Sequence, residues 1–313
     1  MKPDILIKVD APVFRADLGR DFAIHDFDLK REIPGADILK RARILITSGS
    51  AGCTREEMDA LPSLGLICCV GTGFEKVDLD AARGRGVVVT HGAGVNAAAV
   101  ADHAFALLLS IVRNIPAYHA SAVAGEWRGA MKTRPMLGGK KIGIVGMGGI
   151  GTRVARRAEG FEMEVSYLAT KPKPELPWTF KSTAVELASG ADFLVVAAPG
   201  GAGTFHMIDA AALKALGPQG FLVNVGRGSV VDTKALIEAL ASGGIAGAAL
   251  DVFEGEPDIP AELRSLPNVV LTPHVGGAAP EVQSLGAQLM RKNIELFLGG
   301  KPVATPVPQP PAN

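Results

Sequence analysis

The stretch KIGIVGMGGIGTRVARRA, Lys141–Ala158, decides the fold. A hydrophobic run ends at Gly146, Gly148 and Gly151 follow in GxGxxG spacing, and an amphipathic helical stretch starts there. Each glycine has a job in a dinucleotide-binding turn. Gly146 permits the tight turn, Gly148 lets the backbone come close to a pyrophosphate, and Gly151 lets helix and strand pack. The helix start then offers free N–H groups and a positive dipole end to phosphate. Three glycines alone are weak evidence in a chain with 38 of them. A strand before and a helix after make the reading specific, against the bland alternative of a tight turn with no ligand.

About twenty residues on, VSYLATKPKP (Val165–Pro174) reads as a strand end and its loop. An NAD site wants an acid here for the ribose hydroxyls, whereas an acid would repel the 2′-phosphate of NADP. The position holds Ala169, followed by Thr170 and Lys171. Thr170 offers a hydroxyl and a backbone N–H, and Lys171 a positive charge. Lys173 is a further candidate. Arg is the better phosphate fork, and this loop has none. The expectation is NADP(H), with NAD(H) as the lesser choice; the competing view is that both lysines are solvated loop charges.

The same alternation extends both ways. Strands are expected at DILIKVD, ARILITSG, LGLICCVG and GVVVTHG in the first hundred residues, with helices such as REEMDALP and DLDAARGRG between them. Ala97–Trp127 is a long helical region interrupted near Pro116. From KIGIVG a second series follows: EVSYLA, FLVVAAP, GFLVNVG, AGAALDV and NVVLTPH, with amphipathic helices such as TKALIEALASGG ending in glycine. This is an α/β chain of two doubly wound parallel-sheet domains. The first is expected over 1–97 plus 285–313, the second, a Rossmann domain, over 98–284. A final helix, EVQSLGAQLMRKNIELFLGG, would return to the first domain, and TPVPQPPAN would be extended or mobile.

Composition narrows the function. The chain has 313 residues, 48% of them hydrophobic, with 32 basic and 32 acidic side chains. The balance and the lack of charge runs argue against non-specific nucleic-acid or membrane-surface binding. No secretory signal pattern opens the chain, and the apolar stretch around FALLLSIV is too short to span a bilayer. Cys53, Cys68 and Cys69 lack metal-ligand spacing, so no metal is expected. A reducing cytoplasm is the default reading.

Three turns after strand ends carry chemistry-bearing residues, where ligands of open α/β sheets bind. VNVGRGSVVD presents Arg227 between glycines, suited to bidentate capture of a carboxylate. ALDVFEGEPDIP holds Asp251, Glu254 and Glu256. LTPHVGG holds His274. Alone, each has a bland reading as an ion pair, a solvated acid or a structural histidine; in this order, each after an apolar strand, they are harder to dismiss.

With VGTGFEKVDL, GIVGMGGIG, VNVGRGSVVD, ALDVFEGEP and TPHVGG together, nearly the whole chain resembles the D-isomer-specific 2-hydroxyacid dehydrogenases, closest in flavour to the glyoxylate/hydroxypyruvate reductase group. That resemblance implies a flavodoxin-like substrate domain beside the Rossmann domain. It implies NADPH-dependent reduction of small 2-oxo acids to D-2-hydroxy acids. Arg227 matches the residue that binds substrate carboxylate and carbonyl, Glu256 the acid that orients the catalytic histidine, and His274 the acid/base. Thr72 and Gly73 match the backbone pair that holds the substrate carboxylate. Asp251 matches the residue beside the nicotinamide carboxamide. Further cofactor contacts are implied at Gly149, Ile150, Pro199, Val225 and Gly276, beside Gly146, Gly148, Gly151, Thr170 and Lys171. A homodimer joined through the second domain is implied as well. Asp102 stands where Glu is common, and PGGAGTF (Pro199–Phe205) departs from the usual PLTPET. Two rivals stand against this reading. Formate dehydrogenases share the fold and the histidine but resemble a pattern with Gln where Glu256 stands, so Glu256 argues for a 2-hydroxyacid enzyme. Dinucleotide-sensing corepressors use the same scaffold, though this chain has no long disordered or basic extension. An NADH-dependent enzyme for another substrate is the third alternative.

Overall fold

The computed structural model describes residues 2–30, 33–128 and 131–307. They form two compact units, Met1–Asn96 with Ala278–Asn313, and Ala97–Gly277.

In the first unit the chain runs β1 (Asp4–Ile7), α1 (Pro12–Leu18), β2 (Ala23–Asp26), α2 (Ala36–Arg41), β3 (Ile44–Ser48), α3 (Arg55–Asp59), β4 (Leu66–Val70), α4 (Leu79–Gly84) and β5 (Val88–Thr90). The sheet is parallel, in the order β2-β1-β3-β4-β5, as in flavodoxin-like folds. Alternate residues of each strand face opposite layers. Leu6, Leu45, Ile67 and Cys69 pack on one side, and Ile5, Ile7, Ile44, Ile46 and Cys68 on the other. The C-terminal helix Pro280–Leu298 closes the second layer with Ala287, Met290 and Ile294. α3 starts at a capping box, in which Thr54 accepts from the Glu57 N–H and the Glu57 carboxylate accepts from that of Thr54. After the helix the chain is pinned rather than loose: Pro306 bridges Thr90, and the Val307 N–H donates to Val89. Pro308–Asn313, the rest of the stretch expected to be extended or mobile, lies outside the described residues.

The second unit begins with α5 (Ala97–Val112) and α6 (Ile115–Val123), then alternates β6 (Lys141–Val145), α7 (Gly149–Gly160), β7 (Glu164–Leu168), β8 (Thr179–Lys181), α8 (Ala184–Ser189), β9 (Phe193–Val196), α9 (Ala210–Leu216), β10 (Phe221–Asn224), α10 (Thr233–Ala241), β11 (Gly247–Leu250), α11 (Ala261–Ser265) and β12 (Val269–Leu271). Its parallel sheet has the order β12-β11-β10-β9-β6-β7-β8. Both faces are buried, so the strands read as continuous apolar runs. Ile142, Ile144, Phe193, Val195, Phe221 and Val223 join α5 and α7 in one layer. Leu194, Val196, Leu222, Ala248 and Leu250 join α8, α9 and α10 in the other.

Register lines up the ends of this sheet. Val145 pairs with Val196, Val196 with Asn224, Asn224 with Leu250 and Leu250 with Leu271. The turns that follow β6, β9, β10, β11 and β12 therefore leave from one edge. Strand order reverses between β6 and β9, which makes that edge the topological switch point.

Among the described residues no single helix is long and apolar enough to cross a membrane. α5 and α6 meet that length and composition only as a pair, bent by 62°. α5 is a core helix whose Val100, Ala101, Ala104, Leu108 and Ile111 are buried at helical spacing.

Candidate active site

The glycine turn fits a diphosphate. Gly146 has φ 93°, a left-handed value that favours glycine, and a Cβ there would lie 2.7 Å from the Ala198 backbone. A Cβ on Gly151 would lie 1.9 Å from the Gly146 carbonyl oxygen, so only glycine lets α7 start this close to β6. Gly148, by contrast, faces open space. It precedes α7 without any side-chain cap, which leaves the first N–H groups of that helix free for an anion. Gly149 and half-buried Ile150 form the first turn of α7.

After β7, Thr170 and Lys171 are exposed and Ala169 is half-buried. Lys173 is tied down: its Nζ donates to the Met147 carbonyl at 2.6 Å, and its N–H donates to the Tyr167 hydroxyl at 2.8 Å. The loop after β7 is thereby fastened to the glycine turn. Pro199, after β9, is exposed, and Val225, after β10, is buried.

Arg227 leaves β10 in an extended conformation, half-buried, with Nη1 donating to the Gly226 carbonyl at 2.9 Å. The turn is braced by buried Asn224. Its Nδ2 donates to the Arg227 carbonyl, and its Oδ1 accepts from the Gly226 N–H, each at 3.0 Å. Gly228 lies so close to the next turn that a Cβ would sit 1.9 Å from the Phe253 carbonyl carbon. Backbone contact thus sets the spacing between the Arg227 turn and the loop carrying Glu256.

Glu256 and His274 form a pair, with Oε2 and Nδ1 2.7 Å apart. Glu256 Oε1 accepts from the Phe253 N–H at 3.0 Å, so both carboxylate oxygens are engaged. A carboxylate only accepts, which puts a proton on Nδ1 and leaves Nε2 to exchange the other. His274 has φ 54°, a left-handed value uncommon for a residue with a Cβ and frequent at functional sites.

What holds His274 in that conformation is Asp251, which is 2% exposed. Its Oδ1 accepts from the Thr272 hydroxyl at 2.6 Å and the Val275 N–H at 2.9 Å. Its Oδ2 accepts from the Gly276 N–H at 2.9 Å. The Asp251 carbonyl accepts from the His274 N–H at 2.8 Å. His103 of α5 completes the group, with Nε2 2.9 Å from Thr272 Oγ1 and 3.3 Å from Asp251 Oδ1. A buried charge with this many donors is satisfied and orients what it touches. Asn224, His103 and Thr272 were not singled out in the sequence. Asn224 lies inside VNVGRGSVVD and Thr272 inside TPHVGG, but neither residue type marks chemistry by itself there, and His103 of α5 lies in none of these motifs.

Arg227, the Glu256 loop and His274 follow β10, β11 and β12, which are neighbours about 4.8 Å apart. In the first unit, Thr72 and Gly73 lie in the turn after β4. There the Thr72 carbonyl accepts from His91 Nδ1 at 2.9 Å.

Residues 105–276 match the D-isomer specific 2-hydroxyacid dehydrogenase, NAD binding domain. The chain belongs to the D-isomer-specific 2-hydroxyacid dehydrogenase family. It is an oxidoreductase, and its cofactor is a nicotinamide dinucleotide. It is 42% identical over 266 residues to a hydroxyphenylpyruvate reductase of Plectranthus scutellarioides, covering 85% of each chain. It is 39% identical to a 2-ketogluconate reductase of Gluconobacter oxydans, over 98% of this chain and 99% of the relative. Among solved structures it is similar to an NADPH-dependent glyoxylate/hydroxypyruvate reductase from Sinorhizobium meliloti in complex with NADP and malonate. The TM-score is 0.88 and the identity 36%, covering 98% of this chain and 97% of that one.

Proposed function

We propose that this family member reduces small 2-oxo acids, glyoxylate and hydroxypyruvate among them, to D-2-hydroxy acids with NADPH. The observation that carries the reading is the His274–Glu256 pair at 2.7 Å, one strand from Arg227 on the sheet edge that also bears the glycine turn. When bound, the reduced nicotinamide supplies a hydride to the carbonyl carbon of the substrate. Arg227 binds the carboxylate and polarises the carbonyl oxygen as negative charge develops there. His274 donates the Nε2 proton to that oxygen, and Glu256 holds the ring in orientation through Nδ1. Thr72 and Gly73 contribute backbone N–H groups for the carboxylate, and Asp251 an acceptor for the carboxamide.

NADPH over NADH rests on the absence of an acid at Ala169 and on Thr170 and Lys171 beside it. The relatives' substrates range from glyoxylate to bulkier acids, which widens the panel worth testing. Turnover of glyoxylate, hydroxypyruvate, 2-ketogluconate and hydroxyphenylpyruvate, each with NADPH and NADH, tests the proposal. No reduction of any 2-oxo acid refutes it. Equal or better efficiency with NADH refutes the cofactor preference.

The setting belongs to the same proposal: a cytoplasmic homodimer, binding neither nucleic acid nor membrane. α6 buries none of its residues, and Ile115, Val123, Trp127 and Met136 of this unit are exposed. A second copy covering them is the simplest use of that surface. A monomeric mass by light scattering at micromolar concentration counts against it.

A further inference from the structure

His206 stands outside the acid/base pair, yet it joins segments that frame it. Its backbone is left-handed, at φ 48°, and its N–H donates to the Ser229 carbonyl at 2.9 Å. The Phe205 ring stacks on its imidazole, with centroids 3.9 Å apart. His206 Nε2 is 2.7 Å from Glu254 Oε1, and Nδ1 is 3.8 Å from Oδ2 of Asp232, the residue that caps α10. The Thr233 hydroxyl donates to the other Glu254 oxygen at 2.8 Å. Glu254, two residues before Glu256, is thus held at both oxygens. Burial opposes its charge, but the hydrogen bonds from His206 and Thr233 outweigh burial and keep the carboxyl below its ordinary range.

This hold has consequences because of what adjoins the loop. A pocket of about 300 Å³ is bordered by Val231, Leu236, Val252, Ile259 and Leu263, and by Glu254 itself. In a close-packed interior, contact on all sides fixes a loop. Here one side is hollow, so a larger share of the positioning falls to directed ties. One tie, from Glu256 Oε1 to the Phe253 N–H, is internal to the loop. Another is the backbone approach at Gly228. The Glu254 tie alone among these reaches the segment after β9.

We propose that His206 is a positioning residue for proton donation. Through Glu254 it holds the Val252–Asp258 loop where Glu256 Oε2 meets His274 Nδ1. The inference rests on the acid/base role proposed for His274.

The test uses the full chain carrying His206→Ala, His206→Gln, Glu254→Gln, and the His206→Ala/Glu254→Gln double substitution. The first readout needs no turnover: the Nδ1–H resonance of His274 in ¹⁵N-histidine-labelled protein. Its exchange with water is expected to speed up at least ~10-fold in His206→Ala and Glu254→Gln, because the hydrogen bond protecting it opens more often. In His206→Gln the amide N–H replaces Nε2–H, and protection is expected to return. The second readout is kinetic. With a 2-oxo acid, kcat is expected to fall about 5-fold or more in each of those single variants, with the KM for the dinucleotide within about 2-fold, and the double variant should be no worse than the poorer single one. An unchanged His274 resonance in His206→Ala overturns the proposal, as do single losses that multiply in the double variant. If His206→Ala does not fold, Glu254→Gln and Thr233→Val carry the same comparison. A parent protein without 2-oxo acid turnover defeats the proposed function but leaves the resonance test of the loop intact.

Discussion

His274 Nδ1 lies 2.7 Å from Glu256 Oε2, and the other Glu256 oxygen is occupied by the Phe253 N–H. The carboxylate therefore has one orientation, and Nε2 is the ring nitrogen that Glu256 does not engage. Glu256→Gln keeps the shape but removes one of the two acceptor oxygens, so the Phe253 N–H and the His274 ring can no longer both be held as they are. On the acid/base role proposed for His274, kcat for 2-oxo acid reduction should fall about 10-fold or more while the KM for the dinucleotide stays within about 2-fold. Steady-state kinetics of the parent and the variant check this, and an unchanged kcat counts against it.

On the role proposed for it, Arg227→Ala should cost about 2–5 kcal/mol of transition-state stabilisation, since a carboxylate and a developing oxyanion would lose their charged partner. Arg227→Lys should recover only part, because a point charge cannot make the paired contact. Steady-state kinetics with glyoxylate or hydroxypyruvate read the effect, while dinucleotide binding should change little.

Gly228→Ala places a carbon 1.9 Å from the Phe253 carbonyl carbon, where backbone must move. The expected result is a stability loss of about 1–3 kcal/mol or more, with a kcat loss as the Glu256 loop shifts away from Arg227. Thermal unfolding and kcat measured on the same sample check it.

Asp4 gives an acid-stability prediction. The hydrogen bond from Arg41 pulls its carboxyl below the ordinary 3.8, burial opposes this, and His25 adds to the lowering. A depressed folded-state value means stability that is present above pH 3.8 and is lost as pH falls through the lower folded value. Asp4→Asn should be less stable at neutral pH and show a flatter loss below pH 4. Denaturant midpoints across pH 2–6 would show it.

Cys53, Cys68 and Cys69 are buried, free thiols that burial pushes up to about 12. Without thiolate there is little nucleophile. Iodoacetamide at pH 8 should leave all three unmodified in the native chain and alkylate them after unfolding, as read by mass.

The legible parts of the sequence were those with strong local chemistry. GIVGMGGIG announces its own turn, and the buried strands of the second unit are apolar runs bounded by glycine or proline. Two strands gave no such signal. β2 is AIHD, an edge strand with no fully buried residue, and β8 is only TFK, trailing a proline-rich loop. Arg227, Glu256 and His274 could be picked because each follows an apolar strand. The roles of Asn224, His103 and Thr272 could not, since they depend on which strands are neighbours and on α5 lying beside β10–β12. The Asp251 carboxylate shows the same limit. Its place in the LDV motif was visible, but not that it grips the Thr272 hydroxyl before His274 and the Val275 and Gly276 N–H groups after it.

The glycine turn follows β6, and His274 follows β12 of the same hydrogen-bonded sheet. On the proposed roles, a hydride source seated on one and a proton donor on the other would be indexed to each other coarsely by strand register and finely by the Asp251 contacts around His274. Coarse changes in the separation between the two deliveries would require re-registering a central strand, so substitutions in the turns should tune that dimension only finely, and insertions within the strands would be needed to change it by more.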